Sequence, residues 1–366
     1  MKMQTLLHRT LVTAALLLSS SLTQAQSFKI ETLAENQGIV WGMDFISDRQ
    51  MIFTERNGQA RLLNIKNGQV TQLSGLPEVY ARSQGGLLDV KISPDFKQSG
   101  WIYFTYSKPH NNSAVTTLAR AKLSNDSLTE WQDLLISRSE SNSNIHFGSR
   151  IAFDEKGHVF FGIGDRGERE NGQMFDNHAA SILRLNLDGS VPKDNPFVGN
   201  PNYLPELWSV GHRNPQGLVY DSQRDILWEI EHGPRGGDEI NIIQKGENYG
   251  WPDVSHGKEY WGPIAVGVRQ KPGMIDPVKV YIPSIAPGSL MLYQGDAFPE
   301  WRGSLFAGAL VLRHLNLIHL SEGGKVLNEQ RLLEGLNERI RTLTQDTNGF
   351  IYFSTDSGKI MRLIPN

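Results

Sequence analysis

Four short runs carry side chains that a mere connecting loop does not need. Ser143 to Arg150 reads S-N-I-H-F-G-S-R and places His146 between Ile145 and Phe147, directly ahead of an apolar I-A-F stretch. An imidazole titrates near neutral pH and can serve as a general base, although a lone histidine in apolar company is more often a satisfied, half-buried residue. Pro205 to Leu218 holds Arg213 and Asn214 just before Pro215, which pushes Asn214 toward an extended backbone. A guanidinium held there offers a fixed fork of donors to a planar anionic or carbonyl ligand, or to a carboxylate of a neighbouring element. Glu229 to Pro252 combines Gly233, Pro234, Gly236 and Gly237 with Asp238 and Glu239. An irregular turn of this kind points carbonyls inward, and carbonyls with carboxylates are the hard oxygen ligands that calcium takes. No EF-hand loop is present, so any calcium site would be assembled from scattered positions. Finally, E-R-I-R puts Arg339 and Arg341 two apart, on one face of a strand. Two cations so placed need solvent, or an anion or acid between them.

Those runs lie between copies of a repeated pattern. A turn rich in Asp, Gly, Asn or Ser leads into aromatic and β-branched residues at Phe45–Glu55, Ser93–Tyr106, Phe153–Asp165, Val219–Glu231 and Thr344–Asp356. A sixth copy, Gly295–Leu310, keeps the spacing with Pro and Trp in place of the acidic turn. Repetition at roughly 50 to 75 residues predicts an all-β chain, a six-bladed β-propeller of four-stranded antiparallel blades. The first and last copies should sit side by side, since closing the ring removes free edges. Helical periodicity is weak; Leu123 to Ser139 is the best helix candidate and a poor one.

Residues 1–25 read as a signal peptide: Lys2, His8 and Arg9 precede the apolar run Leu11 to Leu18, and Thr23 and Ala25 have cleavage spacing. The apolar run is too short to span a bilayer. Residues 26–366 are then one exported propeller domain, periplasmic or secreted, without membrane insertion. The 36 basic and 39 acidic residues give a net charge of −3, and losing Lys2 and Arg9 with the leader leaves −5. That balance argues against nucleic acid or anionic membrane as a partner. The chain has no cysteine, which excludes thiol nucleophiles, iron–sulfur clusters and c-type haem attachment.

As a set, the motifs resemble the soluble quinoprotein glucose and sorbosone dehydrogenase family, and within it the periplasmic aldose sugar dehydrogenases. The matching pieces are S-Q-G-G-L-L-D-V with S-P-D-F (Ser83 to Phe96), H-F-G-S-R (His146 to Arg150) and G-x-G-D (Gly162 to Asp165). L-D-G-S-V-P-K-D-N-P-F (Leu187 to Phe197), G-H-R-N-P-Q-G-L (Gly211 to Leu218), E-H-G-P with D-E-I-N (Glu231 to Asn241), N-Y-G-W-P (Asn248 to Pro252) and R-I-R (Arg339 to Arg341) follow in order. The resemblance implies a six-bladed propeller that binds pyrroloquinoline quinone and Ca2+ and oxidises an aldose, handing electrons to an external acceptor. It implies His146 as general base. Gln84, Arg213 and Asn214 become cofactor contacts, Arg213 also stabilising the oxyanion that forms at the quinone end, and Arg339 and Arg341 neutralise cofactor carboxylates. Gly233 and Pro234 become carbonyl ligands of the cofactor-bound calcium, and Glu239 and Tyr249 ligands of a second, structural calcium, with Asp238 behind them.

The chain also departs from the pattern. Arg313, in V-L-R-H, stands where the family usually has a lysine, which the resemblance makes a cofactor-facing contact, Ile145 precedes the base where some relatives have an acid, and Arg166 to Gln173 differs from the nearest relatives. Tyr260 and Trp261 could stack on a sugar face or simply pack. Two other readings use the same fold: a calcium-dependent propeller lactonase, which needs side-chain oxygens clustered about the axis, and a non-catalytic binding propeller.

Overall fold

In the computed structural model, residues 28–366 are described, so the expected leader at 1–25 lies outside them. They form six four-stranded antiparallel sheets, five of them with their strands in sequential order and the sixth completed by the first described strand. The two innermost strands of the successive blades are Val40–Ser47 with Gln50–Glu55, Leu87–Ile92 with Trp101–His110, and Ile151–Phe153 with His158–Ile163. Pro215–Asp221 with Ile226–Glu231, Pro287–Leu292 with Leu305–Ala309, and Ile340–Gln345 with Ile351–Thr355 complete the ring. The outermost strand of the sixth blade is Phe28–Ala34, paired to Ile360–Pro365, so the two ends of the described chain close the ring.

Each sequence repeat marks the turn from the first strand of a blade into the second. Asp154 shows why the turn favours an acid: its Oδ1 accepts the amides of Lys156 at 2.9 Å and His158 at 2.8 Å. Asp346 does the same for Asn348 and Phe350. A short carboxylate thus satisfies turn amides that have no ladder partner. The residues after the turn are buried on both faces, because each blade is sandwiched between two others. Phe53 and Tyr352 meet between the first and sixth blades, Ile52 and Phe104 between the first and second, and Tyr103 and Phe161 between the second and third. The core is therefore six separate seams rather than one centre. Deleting a ring such as Phe53 should cost about 3–5 kcal/mol.

The helix candidate Leu123–Ser139 is instead strand. Ser113–Ser124 and Ser127–Ile136 form a hairpin, and register shifts at Leu118/Ala119 and Arg120/Lys122 break its alternation. Those bulges, on an outer strand open to solvent, blur the two-residue period that would have exposed it.

One side chain ties the ring together. Arg150, fully buried, donates from Nε to the carbonyl of Gln216 (2.9 Å), from Nη1 to the Trp41 carbonyl (2.7 Å) and Asp89 Oδ1 (3.0 Å), and from Nη2 to the Gly288 carbonyl (2.5 Å). Nη2 also reaches the Arg341 carbonyl at 3.3 Å. With its own strand, these contacts touch all six blades. It forms an axle just below one mouth of the channel.

Candidate active site

That mouth is built from two kinds of segment. One is the loop entering each innermost strand, the other the turn leaving each second strand; antiparallel pairing brings both to the same end. Gln84, His146, Arg213, Asn214 and Arg339 lie on or beside the first kind. Asp165, Gly233, Pro234, Arg313 and Asp356 lie on the second kind.

His146 is held tightly. Its backbone adopts a left-handed φ of 54°, a strained conformation for a histidine and of the kind that collects at functional sites. Its amide donates to Gln84 Oε1 at 2.7 Å, and its Nδ1 lies 2.6 Å from Asp165 Oδ1. A Cβ at Gly164 would meet the His146 carbonyl at 2.5 Å, so only glycine lets the two loops close this far. Burial pulls the imidazole below its ordinary pKa, with the charge on Arg213 adding to that and Asp165 opposing it. Burial would raise Asp165, but the hydrogen bond with His146 and the Arg213 charge hold its carboxyl below the usual range. An ionised Asp165 makes Nδ1 the protonated nitrogen and leaves the lone pair on Nε2. Trp251 Nε1 (2.9 Å) and the Gly167 amide (2.7 Å) also donate to Asp165 and fix its plane.

Asp165 is thus the acid that orients the His146 imidazole, while Ile145 precedes it in the chain. The sequence reading quoted it as the end of G-x-G-D without giving it a role; an acid just past a second strand was the signal. Arg166, in the segment that departs from the relatives, is buried beneath the same loop. It donates to the carbonyls of Ile145, Ala114 and Ser143, and its guanidinium lies 3.5 Å from the Phe147 ring centroid. Arg169 forms a two-bonded ion pair with Glu259 at 2.6 and 2.7 Å, tying this segment to the loop of Tyr260 and Trp261. Those two rings are 65% and 74% exposed, so the packing alternative does not hold for them.

Arg213 makes no side-chain ion pair among the described residues. Its Nη1 donates to the carbonyls of His232 (3.0 Å) and Gly233 (2.8 Å), while its amide and that of Asn214 donate to Glu231 Oε2 at 2.6 and 3.1 Å. The Gly233–Pro234 turn is held by Asp238, whose Oδ1 accepts the Gly233 amide at 3.0 Å and whose Oδ2 accepts that of Ala286 at 2.7 Å. Burial raises Asp238 to about 6.

Beside this turn is an acidic corner that the sequence reading found only in part. Glu229 and Glu231 alternate onto one face of their strand, and the register sets Glu231 opposite Glu239 and Glu229 opposite Asn241. Ligand atoms of His212, Glu229 and Glu231 lie within 4.8 Å of one another. Glu229 Oε1, Asn241 Oδ1 and His212 Nδ1 are buried with no hydrogen-bond partner. Burial, then the charge on Glu231, drives both Glu229 and Glu239 well above the ordinary carboxylate range. Tyr249 stacks on His212 with centroids 4.7 Å apart; its hydroxyl donates to the Ile242 carbonyl at 2.5 Å, leaving its own carbonyl as the group it could offer a cation. This donor set fits a hard cation. The E-I-E and D-E-I-N alternation was the signal for it.

Across the mouth, Arg339 and Arg341 both grip Asp356. Arg339 Nε reaches Oδ2 and Arg341 Nε reaches Oδ1, each at 2.8 Å, with a second bond from Arg341 Nη2 at 2.8 Å. The acid between the cations is the protein's own, yet one carboxylate does not balance two guanidiniums. Arg341 also lies 4.8 Å over the Trp41 ring, and Trp41 Nε1 donates to Ser149 Oγ at 3.1 Å, beside the His146 loop. Arg313 stands apart, exposed on the rim with Nη1 on Asn337 Oδ1 at 2.9 Å.

The family model for Glucose / Sorbosone dehydrogenase matches residues 38–362. Aldose sugar dehydrogenase YliI of Escherichia coli is 37% identical over 95% of this chain and 96% of its own. Quinoprotein glucose dehydrogenase B of Acinetobacter calcoaceticus is 32% identical over 63% of this chain and 52% of its own. The solved apo-form of the soluble aldose sugar dehydrogenase from Escherichia coli superimposes with a TM-score of 0.89 at 34% identity, covering 93% of this chain and all of that one (100%). The PQQ-bound form of the Streptomyces coelicolor aldose sugar dehydrogenase gives 0.75 at 25% identity, covering 93% and 99%.

Proposed function

This chain belongs to the Glucose / Sorbosone dehydrogenase family, and we propose that it is an exported aldose dehydrogenase dependent on pyrroloquinoline quinone and calcium. The observation that carries this reading is the His146–Asp165 pair at the mouth where unbalanced acids and unbalanced arginines also converge. Bound quinone supplies the hydride-accepting chemistry and bound calcium the Lewis acidity.

The chain's own residues do the rest. Nε2 of His146 takes the proton of the anomeric hydroxyl, and Asp165 stabilises the imidazolium that results. The anomeric carbon thereby passes from C–OH to the carbonyl of a lactone, a two-electron oxidation that releases one hydride equivalent and one proton. Arg213 and Asn214 hold the cofactor's carbonyl edge, and Arg339 and Arg341 its carboxylates. Gly233 and Pro234 offer carbonyls to one calcium, while Glu239 and the Tyr249 carbonyl, backed by Glu229 and Glu231, suit a second. Export rests on the leader read at residues 1–25; among the described residues no helix is long and apolar enough to cross a membrane. The lactonase alternative wants oxygens around the axis, and the axis below this mouth is filled by the Arg150 guanidinium.

The test is reconstitution of the purified protein with quinone and calcium, followed by an aldose panel with an artificial electron acceptor. Turnover that needs both additions is expected. Failure to bind quinone and to oxidise any aldose overturns the reading, and hydrolysis of lactones without quinone would replace it.

A further inference from the structure

Arg56 occupies the first position after the second strand of the first blade, equivalent in the ring to Asp356 in the sixth. Its amide donates to the Ile39 carbonyl at 3.0 Å. The Gln84 loop packs straight onto it, since a Cβ at Gly86 would fall 1.9 Å from the Arg56 carbonyl. A cavity of about 240 Å³ opens between them, lined by Ile39, Arg56, Asn57, Ala81, Ser83 and Gly85. The half-buried guanidinium has no hydrogen-bond or ion-pair partner among the described residues. Neighbouring Glu55 is committed to the Gly38 amide and to Arg61. Burial, then repulsion from Arg341, lowers Arg56 below the usual guanidinium pKa, with Asp356 opposing. Both oxygens of Asp356 are already taken by the other two arginines. Three guanidiniums that stay charged therefore face a single carboxylate, and the surplus calls for a polyanion.

We propose that Arg56 is a third arginine that binds the carboxylates of the quinone cofactor, beside Gln84. This rests on the quinoprotein reading and extends it by one binding residue. Titrate the apo-protein with pyrroloquinoline quinone by tryptophan-fluorescence quenching at low and at high salt, comparing wild type, R56Q, R56K and R341Q. R56Q should raise Kd about tenfold, or about 1.4 kcal/mol. The gap from wild type should narrow as salt screens the lost charge. R56K, which keeps the charge but not the fork, should fall between. Wild-type affinity in R56Q, with binding weakened in R341Q, overturns the proposal and leaves the quinoprotein reading standing. A wild-type protein that binds no quinone overturns both. Thermal melts accompany the titration; if R56Q is unfolded, R56K decides by the same measurement, wild-type affinity again being the overturning result.

Discussion

On one side of the channel mouth, Glu229, Glu231 and Glu239 crowd together with no lysine or arginine side chain paired to them among the described residues; on the other, Arg339 and Arg341 share Asp356, and Arg56 beside them has no partner among those residues. Both corners are half-finished, in opposite senses. A buried or half-buried charge without a partner costs several kcal/mol, and packing alone gives a fold no reason to keep either corner so. Arg150 shows what a finished site looks like in the same molecule: it is buried too, yet its donors reach carbonyls and Asp89 across the ring. The difference separates charge that is satisfied within the fold from charge that is left in surplus. His146 lies between the unfinished corners, at a strained φ, with its acid behind it.

The sharpest way to divide chemistry from binding is His146→Gln. It should lower kcat by roughly a thousandfold while quinone and calcium still bind at both corners; loss of binding instead would mean that His146 belongs to the scaffold. In the wild type the imidazole is held below its ordinary pKa of 6.5, so it stays unprotonated and active to lower pH, and the acid limb of the rate profile should fall below 6.5. Asp165→Asn removes the interaction that raises the imidazole, and should move that limb lower still.

Removing calcium tests the acidic corner. Chelation should lower the melting temperature, and calcium at a hundredfold excess over Kd should restore about 2.7 kcal/mol. Glu229→Gln should make the calcium-free protein more stable and shrink the calcium increment, because it removes one of the mutually repelling carboxylates. A melting curve indifferent to calcium in both proteins would break the comparison.

The smallest effect belongs to the arginine corner. Asp356→Asn should cost about 1–3 kcal/mol in urea unfolding at neutral pH. Burial alone would raise Asp356, but Arg341 and Arg339 hold it below 3.8. A carboxyl with a depressed folded-state pKa contributes stability that is full above its unfolded pKa and is lost as pH falls through the folded value. Asn should therefore flatten the decline in stability below about pH 4; an unchanged acid limb would show that the pair adds nothing to the fold.

The repeats were legible because each couples a turn acid to a doubly buried strand, and both demands are local. Arg339 and Arg341 were legible as a pair because strand alternation places them together. What accepts them was not, since Asp356 arrives from the far end of the hairpin. Likewise Asp165 stands 19 residues from His146, and neither neighbourhood carries a mark of the other. Arg150 was quoted within a motif and passed over, since nothing near it in the chain announces strands from all six blades. Leu123 to Ser139 misled for a simpler reason: two bulges erased its period.

Residue order alone was enough for the number of blades, the absence of thiol chemistry and the choice of His146 as the candidate base, because turn chemistry, composition and short motifs are written in neighbouring positions. The closed ring decided which acid orients His146, which carboxylate sits between the arginines, that Arg56 faces them, and that Glu229 joins the acidic corner. Those pairings form only when loops from different blades meet at one mouth, where burial turns a surplus of charge into a demand for a partner.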